Sequence, residues 1–505
     1  MAGDSTFTRR RALQLVAGAT LGGSALISTA ASASVRKSQF MPASQLLEWQ
    51  RELDALGLRA TGSTVQEGYV DVLRDRLERV GVRELHFEPL PHRRWLADSW
   101  SLHTYSAGGT TAVPTASYIP YSGGTPPDGV EGPLVETDPS KSLPAGSLRG
   151  KVALFSLPLT PLTYGALGAL AYKSYDPARI LKPNAPYARA WISIATLIPM
   201  LDNLVRADAA ACVCVLDLPA DAAHGAYYPY DGVMRPVPGL FVDRTTGAQL
   251  SAAAAAGAQA KLVLRSRTDH VLTRNLIGVI PGASSELVLL HSHTDGPNAI
   301  EDNGPNAIVA ISQYLARLPR ASLPRTVMVV LTTGHFAGGA GVKAFVERHR
   351  HTTLRRTAAA LTLEHLGALE WNPVPGGNRS RLTGHLEAGT VFAPETSALV
   401  DAAYSAIRRA HDDPSSVLRP YVSAPGSPDG HGWPAEGTQL WTMGAIPTAN
   451  YITGPTYLLN WGIPTLDKFD LDRMRSEAIS FTEMVIALGR IPTKRLRTLD
   501  LLKHG

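Results

Sequence analysis

The sequence predicts an α/β fold: a helix-covered, mixed but mostly parallel sheet, with a β-rich region inserted into the chain. Three observations predict it. Near-continuous apolar runs at residues 276–280, 287–290, 326–331 and 358–363 have the length and composition of strands buried on both faces. Helical patterns at 307–318 and 341–349 alternate with them, as in a sheet whose crossovers are helices. Upstream, from about residue 95 to 270, short alternating segments are broken by stretches such as Gly123-Gly124-Thr125-Pro126-Pro127, the texture of a smaller β-rich unit.

In chain order, the 505 residues open on Thr8-Arg9-Arg10-Arg11-Ala12-Leu13, an apolar stretch over 13–31, and the small-residue site Ala31-Ser32-Ala33. Paired arginines ahead of a weakly hydrophobic core resemble a twin-arginine export signal, so residues 1–33 are expected to be removed and the mature chain secreted. Residues 40–94 follow as the N-terminal helices of the catalytic domain. Leu46, Trp49 and Leu53 share one helical face there, and Val70, Leu73 and Leu77 another. Residues 95–270 form the inserted region, with a helix-rich stretch expected over 162–205. Cys212 and Cys214 alternate on a buried strand and read as small hydrophobes, not as a metal or disulfide pair. Residues 271–492 carry the main α/β domain.

Composition excludes several classes. With 44% hydrophobic residues the chain has ample surface to bury against chain entropy, so it is not disordered. The net charge of +5 includes three arginines and one aspartate of the signal, and no basic run is long enough to follow a phosphate backbone. A nucleic-acid partner is therefore not expected. The most apolar downstream segment, 190–201, contains Pro199 and is too short to span a bilayer, so no stable membrane insertion is expected after signal cleavage.

Chemistry in an open α/β sheet gathers at the carboxyl ends of the strands. Three of the apolar runs end in groups of metal-ligand type. His291-Ser292-His293-Thr294-Asp295 follows the second, with Glu301-Asp302-Asn303 shortly after. Gly334-His335-Phe336 follows the third, and Glu364-His365 the fourth. Imidazole and carboxylate groups converging in this way hold a divalent ion such as zinc. In His293-Thr294-Asp295, the acid is placed to set the tautomer of a ligating imidazole.

From Asn275 to about Val346 the chain resembles the co-catalytic zinc aminopeptidases of metallopeptidase family twenty-eight (clan MH), which includes carboxypeptidase Q-like enzymes. The stretches that carry the resemblance are Asn275-Leu276-Ile277-Gly278-Val279-Ile280-Pro281-Gly282, His293-Thr294-Asp295, Glu301-Asp302-Asn303 and Gly338-Gly339-Ala340-Gly341-Val342. Ala445-Ile446-Pro447-Thr448 and Thr465-Leu466-Asp467-Lys468-Phe469-Asp470 look like closing segments of that family, and the inserted region looks like a protease-associated domain. The resemblance implies a zinc aminopeptidase-like fold and a secreted, metal-dependent hydrolase acting on amide bonds of peptides or small N-acyl compounds. It implies His293, Asp302 and Glu364 as ligands of a first zinc, with Asp302 in the bridging position and Asp295 as the orienting acid.

The family pattern then departs. Where it has two adjacent glutamates, one the general base and one a second-metal ligand, this chain has His335 and Phe336. Counting back from Ala445-Ile446-Pro447 places Thr438 where the second metal's histidine belongs. The expectation is a single zinc ion, with His335 as general base. His335 as a ligand or as a plain hydrogen-bonded histidine stays open, and His431 is a further candidate ligand if the late loop is longer. The other reading is a non-catalytic binding protein on a peptidase fold.

Overall fold

The computed structural model describes residues 35–106, 108–187 and 189–501; the expected export signal lies outside the described residues. The predicted apolar runs form the middle of a mixed sheet. The strands Arg325–Thr332, Ser284–His293, Thr357–Leu363 and Thr448–Ile452 are parallel neighbours in that order. Val288 and Leu290 face one core, shared with the helices Gly304–Ala316 and Leu471–Leu488. Leu287 and Leu289 face another, shared with Val342 and Phe345 of the helix Ala340–His349. Both faces are covered, so both parities of the strand are apolar, and the continuous runs follow from that.

The two N-terminal helices, Ala43–Ala55 and Thr64–Arg79, pack Leu46, Trp49, Leu53, Val70, Leu73 and Leu77 against the first of these cores. Ser63 caps the second helix by accepting the Gln66 N–H at 3.2 Å. The connection between the helices brings Arg59 alongside Gly296, with backbone hydrogen bonds of 2.9 and 3.1 Å.

Two features differ from expectation. The strands Arg83–Ser106 and Gln259–Ile280 form one long antiparallel ribbon. The expected boundaries at 94/95 and 270/271 therefore fall inside continuous strands. One end of the ribbon extends the main sheet beside Arg325–Thr332. The other end joins a second layer of strands, Val130–Glu136, Val152–Leu157, Ala211–Leu216 and Gly239–Val242, around their own core.

Segment 162–205 is less helical than its Leu and Ala content suggests. It contains the short helix Tyr164–Gly168 and the strand Ala171–Tyr175, and only from Ile194 to Arg206 a longer helix. The strand pairs with Ser415–Leu418 at the far edge of the main sheet, beyond Gly389–Phe392. The segment thus reaches from the second layer to that edge. Arg189 secures it from a buried position, donating to Glu387 at 3.0 Å, Asn372 Oδ1 at 2.9 Å and the Gly454 carbonyl at 2.9 Å.

Candidate metal centre

The parallel strands end level with one another, because His293 pairs with Thr332 and Leu363 with Tyr451. Five side chains from these ends and their following loops meet in the buried interior. They are His293, Glu301, His335, Glu364 and His365.

His293 is oriented by its own loop. Its Nδ1 lies 2.9 Å from the Asp295 carbonyl, which can only accept, so Nδ1 carries the hydrogen and Nε2 offers its lone pair. His365 repeats the device, with Nδ1 2.8 Å from the Thr453 carbonyl. Glu364 accepts a hydrogen bond from Asn450 Nδ2 at 3.0 Å on Oε1. That leaves His293 Nε2, His365 Nε2, Glu364 Oε2 and both oxygens of Glu301 buried, without hydrogen-bond partners among the described residues.

These free atoms face one another. His293 Nε2 is 3.6 Å from both Glu301 Oε1 and Glu364 Oε2. His365 Nε2 is 3.6 Å from Glu301 Oε1 and 3.8 Å from Glu364 Oε2. Such spacings are too long for hydrogen bonds. Each is close to the separation, about 3.4 Å, of neighbouring donors set roughly 2.1 Å from a zinc ion, and the donors fall into two triads that share His293: His293, Glu364 and His365, and His293, Glu301 and His335. His335 Nε2 lies 3.6 Å from Glu301 Oε1, and its ring stacks on that of His293 at 4.2 Å.

The electrostatics point the same way. Burial opposes the charge on His293, yet Glu301 and Glu364 outweigh it and hold the imidazole well above its ordinary range. Burial pushes the Glu301 carboxyl up to about 7 against the pull of His293. Glu364 goes the other way: burial resists, but His293 and His365 draw it down to about 2. Burial and then the charge of His293 push His335 well below the histidine range. Without a metal the His293 proton balances the carboxylate charge; a divalent cation would take over that role, with the imidazoles neutral and both carboxylates ionised. The donor set therefore fits a zinc-type ion.

Three expectations are corrected. Asp302 is not in the cluster. Its carboxylate is gripped by the buried Arg59 guanidinium, with Nε to Oδ2 at 2.6 Å and Nη2 to Oδ1 at 2.5 Å, and Glu301 turns inward in its place. His431 is exposed on the small hairpin of Val422–Ser423 and His431–Gly432, its ring held by the Asp429 carbonyl at 2.9 Å. Asp295 does not touch the His293 ring through its carboxylate. It accepts the backbone N–H groups of His335 and Phe336 at 3.1 and 3.0 Å, and the Thr61 hydroxyl at 2.6 Å. It positions His335, and its backbone carbonyl orients His293.

Phe336 and Thr438 also find their places. Phe336 is buried in the core of the second strand layer, against Tyr227 and Tyr230. Thr438 Oγ1 accepts the Trp433 N–H at 3.0 Å. Phe336 carries no ligand atom, and the Thr438 hydroxyl is engaged by that N–H. His291 is structural, its ring nitrogens each 3.1 Å from a threonine hydroxyl, Thr362 and Thr332.

Glu301 and His365 stand in the metal-type groups of the sequence but are not assigned there as ligands, and Asn450 is not singled out at all. Strand alternation sends His365 away from Glu364, but its φ of 60° turns the chain back, so both side chains reach the centre. Asn450 ties Glu364 to the late loop, since its Oδ1 accepts Trp433 Nε1–H at 2.8 Å and the Gly437 N–H at 3.0 Å. Groups that orient a ligand in this way set metal affinity. Asn450→Ala is expected to weaken zinc binding by about 10- to 100-fold with the fold intact, measured by chelator competition. An unchanged affinity would mean that Glu364 is held by other contacts.

Above the cluster opens a cavity of about 430 Å³, lined by Glu301, His335, Glu364 and His365 at its base and by Trp191, Tyr421, Ile452 and Leu458 on its walls. A second lobe of about 270 Å³ adjoins it past Tyr230 and His335 and is lined by Glu436, Thr438 and Gln439.

Neither a family model nor a curated protein matches the chain. Solved structures do. A peptidase M28 precursor from Shewanella amazonensis SB2B matches with a TM-score of 0.60 at 16% identity, covering 88% of this chain and 96% of that one. BSAP, a zinc aminopeptidase from Bacillus subtilis, matches with a TM-score of 0.57 at 15% identity, covering 88% and 94%. An aminopeptidase from Aneurinibacillus sp. strain AM-1 matches with a TM-score of 0.55 at 14% identity, covering 90% and 95%. The fold is thus that of the zinc aminopeptidases, over nearly the whole described chain.

Proposed function

We propose that the protein is an exported, metal-dependent hydrolase that uses a single zinc ion to cleave an amide or peptide-type bond. The observation that carries this reading is the set of buried donor atoms on His293, Glu301, Glu364 and His365, which have no hydrogen-bond partner among the described residues and belong to two metal-ligating triads that share His293. A zinc ion held there supplies Lewis-acid polarisation of a carbonyl oxygen. The chain's own residues supply the rest. His335 lines both lobes of the cleft, so its imidazole, kept neutral by burial and by His293, is within reach of a substrate in either and is proposed to orient the attacking water or the amide by a hydrogen bond. Asp295 holds that side chain in place through its backbone N–H. Apolar walls such as Ile452 and Leu458 exclude water and bind an apolar part of the substrate by its surface. Peptides and small N-acyl compounds are the substrates proposed. The β-rich region over residues 95–270 is proposed as a protease-associated-type insertion, and residues 1–33 as the twin-arginine export tag.

Metal analysis of the purified mature protein tests the reading. One equivalent of zinc is expected, with amide hydrolysis that disappears on chelation and returns on adding zinc back. Two equivalents would refute the single-ion site. Full zinc occupancy with no hydrolysis across N-blocked and free peptides would move the protein to the class of binding proteins on a peptidase fold.

A further inference from the structure

The strand Thr448–Ile452 runs out into a loop, Thr453-Gly454-Pro455, that touches the metal centre on one side and the 162–205 segment on the other. On the metal side Thr453 grips His365 twice. Its carbonyl accepts the imidazole Nδ1–H at 2.8 Å, and its hydroxyl donates to the His365 carbonyl at 2.5 Å. The second bond steadies the backbone where it takes its left-handed φ of 60°.

On the other side the Gly454 carbonyl accepts from three residues of the crossing segment. They are Arg189 Nε at 2.9 Å, Trp191 Nε1 at 3.2 Å and the Tyr187 hydroxyl at 3.4 Å. So close an approach requires glycine, since a Cβ on residue 454 would stand 2.5 Å from the Tyr187 hydroxyl and 2.6 Å from the Trp191 ring. The Thr453 and Gly454 carbonyls lie in adjacent peptide planes joined at the Gly454 Cα. Glycine leaves the torsions between those planes permissive, so contacts set their angle. The three donors are such contacts, and Arg189 supplies the shortest and the charge-assisted one. Its guanidinium is fixed in turn by Glu387 at 3.0 Å and Asn372 at 2.9 Å.

We propose that Arg189 is a positioning residue of the metal centre. By pinning the Gly454 carbonyl it fixes the Thr453 carbonyl, and with it the direction in which His365 presents Nε2. Arg189 is 1% exposed, lines neither lobe of the cleft and belongs to neither ligand triad, so it acts through His365 and not on an ion itself. The inference rests on the metal-centre reading above but not on turnover.

The test is zinc affinity of the mature protein by chelator competition, for Arg189→Lys alone and in a His365→Ala background. Lys keeps a positive charge for Glu387, but one nitrogen cannot stand at both the Nε and Nη2 positions. Arg189→Lys is expected to weaken zinc binding by about 10- to 100-fold, the scale of an orienting contact, and to weaken it no further once His365 is gone. An equal loss in both backgrounds would overturn the proposal, because Arg189 would then act on the fold at large. Unchanged affinity in Arg189→Lys, with zinc bound by the wild type, would overturn it too and leave the metal centre standing. Trp191→Phe removes a second donor from the same carbonyl and leaves the Arg189 ion pairs in place. It is expected to give a smaller loss that also vanishes in His365→Ala, and it reads the coupling if Arg189→Lys folds poorly; a loss that persists there would count against the proposal in the same way. A wild type that binds no zinc would refute the metal centre itself, and this inference with it.

Discussion

Glu301→Ala is expected to abolish zinc retention and to lower kcat/KM on any amide substrate by at least about 10³-fold, since Lewis-acid catalysis contributes several kcal/mol. The geometry makes Glu301 the hinge of the site: its Oε1 stands 3.6 Å from His293, His335 and His365 alike. Its stability effect should have the opposite sign. Without metal, Glu301 is fully buried with neither oxygen hydrogen-bonded, and burial has already pushed its carboxyl up to about 7. Removing such a group relieves a desolvation penalty of about 1–3 kcal/mol. Metal-free Glu301→Ala is therefore expected to melt above the metal-free wild type. With zinc at a thousandfold its dissociation constant, the wild type should gain about 4 kcal/mol and the variant nothing. Thermal melts with and without zinc read both effects in one experiment. Zinc-dependent stabilisation that persists in the variant would remove Glu301 from the ligand set.

Why Glu301 and not Asp302 faces the centre explains what the sequence carries and what it does not. The central strands were legible because a strand covered on both faces must be apolar at every position, and the metal-type residues stand where those runs stop. His293 and Glu364 stand at two of those stops, and the resemblance to the zinc aminopeptidases is what singles them out there from His291 and His365. The choice between two adjacent acids is not legible, because it is made by Arg59, which is 243 residues away in the chain from Asp302. His365 escaped for a local reason: alternation assumes an extended backbone, and one residue with φ of 60° reverses it. His431 entered as a candidate because spacing in a loop says nothing about direction, and the hairpin carries it to the surface.

The same distinction runs through the fold. The helices at 43–55 and 64–79 show their apolar stripes in sequence because each lies on a single core. The ribbon of Arg83–Ser106 and Gln259–Ile280 does not, since stretches such as Arg265-Ser266-Arg267-Thr268-Asp269-His270 are polar and half exposed. Their extended form comes from pairing with each other over some twenty residues. Strand Ala171–Tyr175, too, owes its conformation to the open edge at Ser415–Leu418 and not to its own apolar content. Phe336 read as a ligand position vacated at the metal. Its apolar ring is instead needed by a core contributed mostly by residues more than 70 positions away in the chain.

Asp302→Ala and Arg59→Ala are each expected to destabilise the protein by about 3–5 kcal/mol, because either leaves a buried charge without its partner. The pair is doubly hydrogen-bonded and both side chains are fully buried, so the loss is not softened by solvent. Arg59 also holds the Gly296 backbone by two hydrogen bonds, and Gly296 lies against Glu301, where an added Cβ would come within 2.3 Å of its Oε2. The ion pair therefore braces the loop that delivers Glu301 without contributing an atom to the metal. Two measurements separate this bracing from ligation. In a double-mutant cycle by urea unfolding, Arg59→Met with Asp302→Leu should recover much of the stability that either Ala variant loses, since an apolar pair leaves no charge stranded. In zinc titrations below the unfolding range, Asp302→Asn should still bind one equivalent, weakened by no more than about 100-fold, the scale of an orienting contact. Complete loss of zinc in Asp302→Asn, with the fold intact, would return Asp302 to the ligand set and displace Glu301 from it.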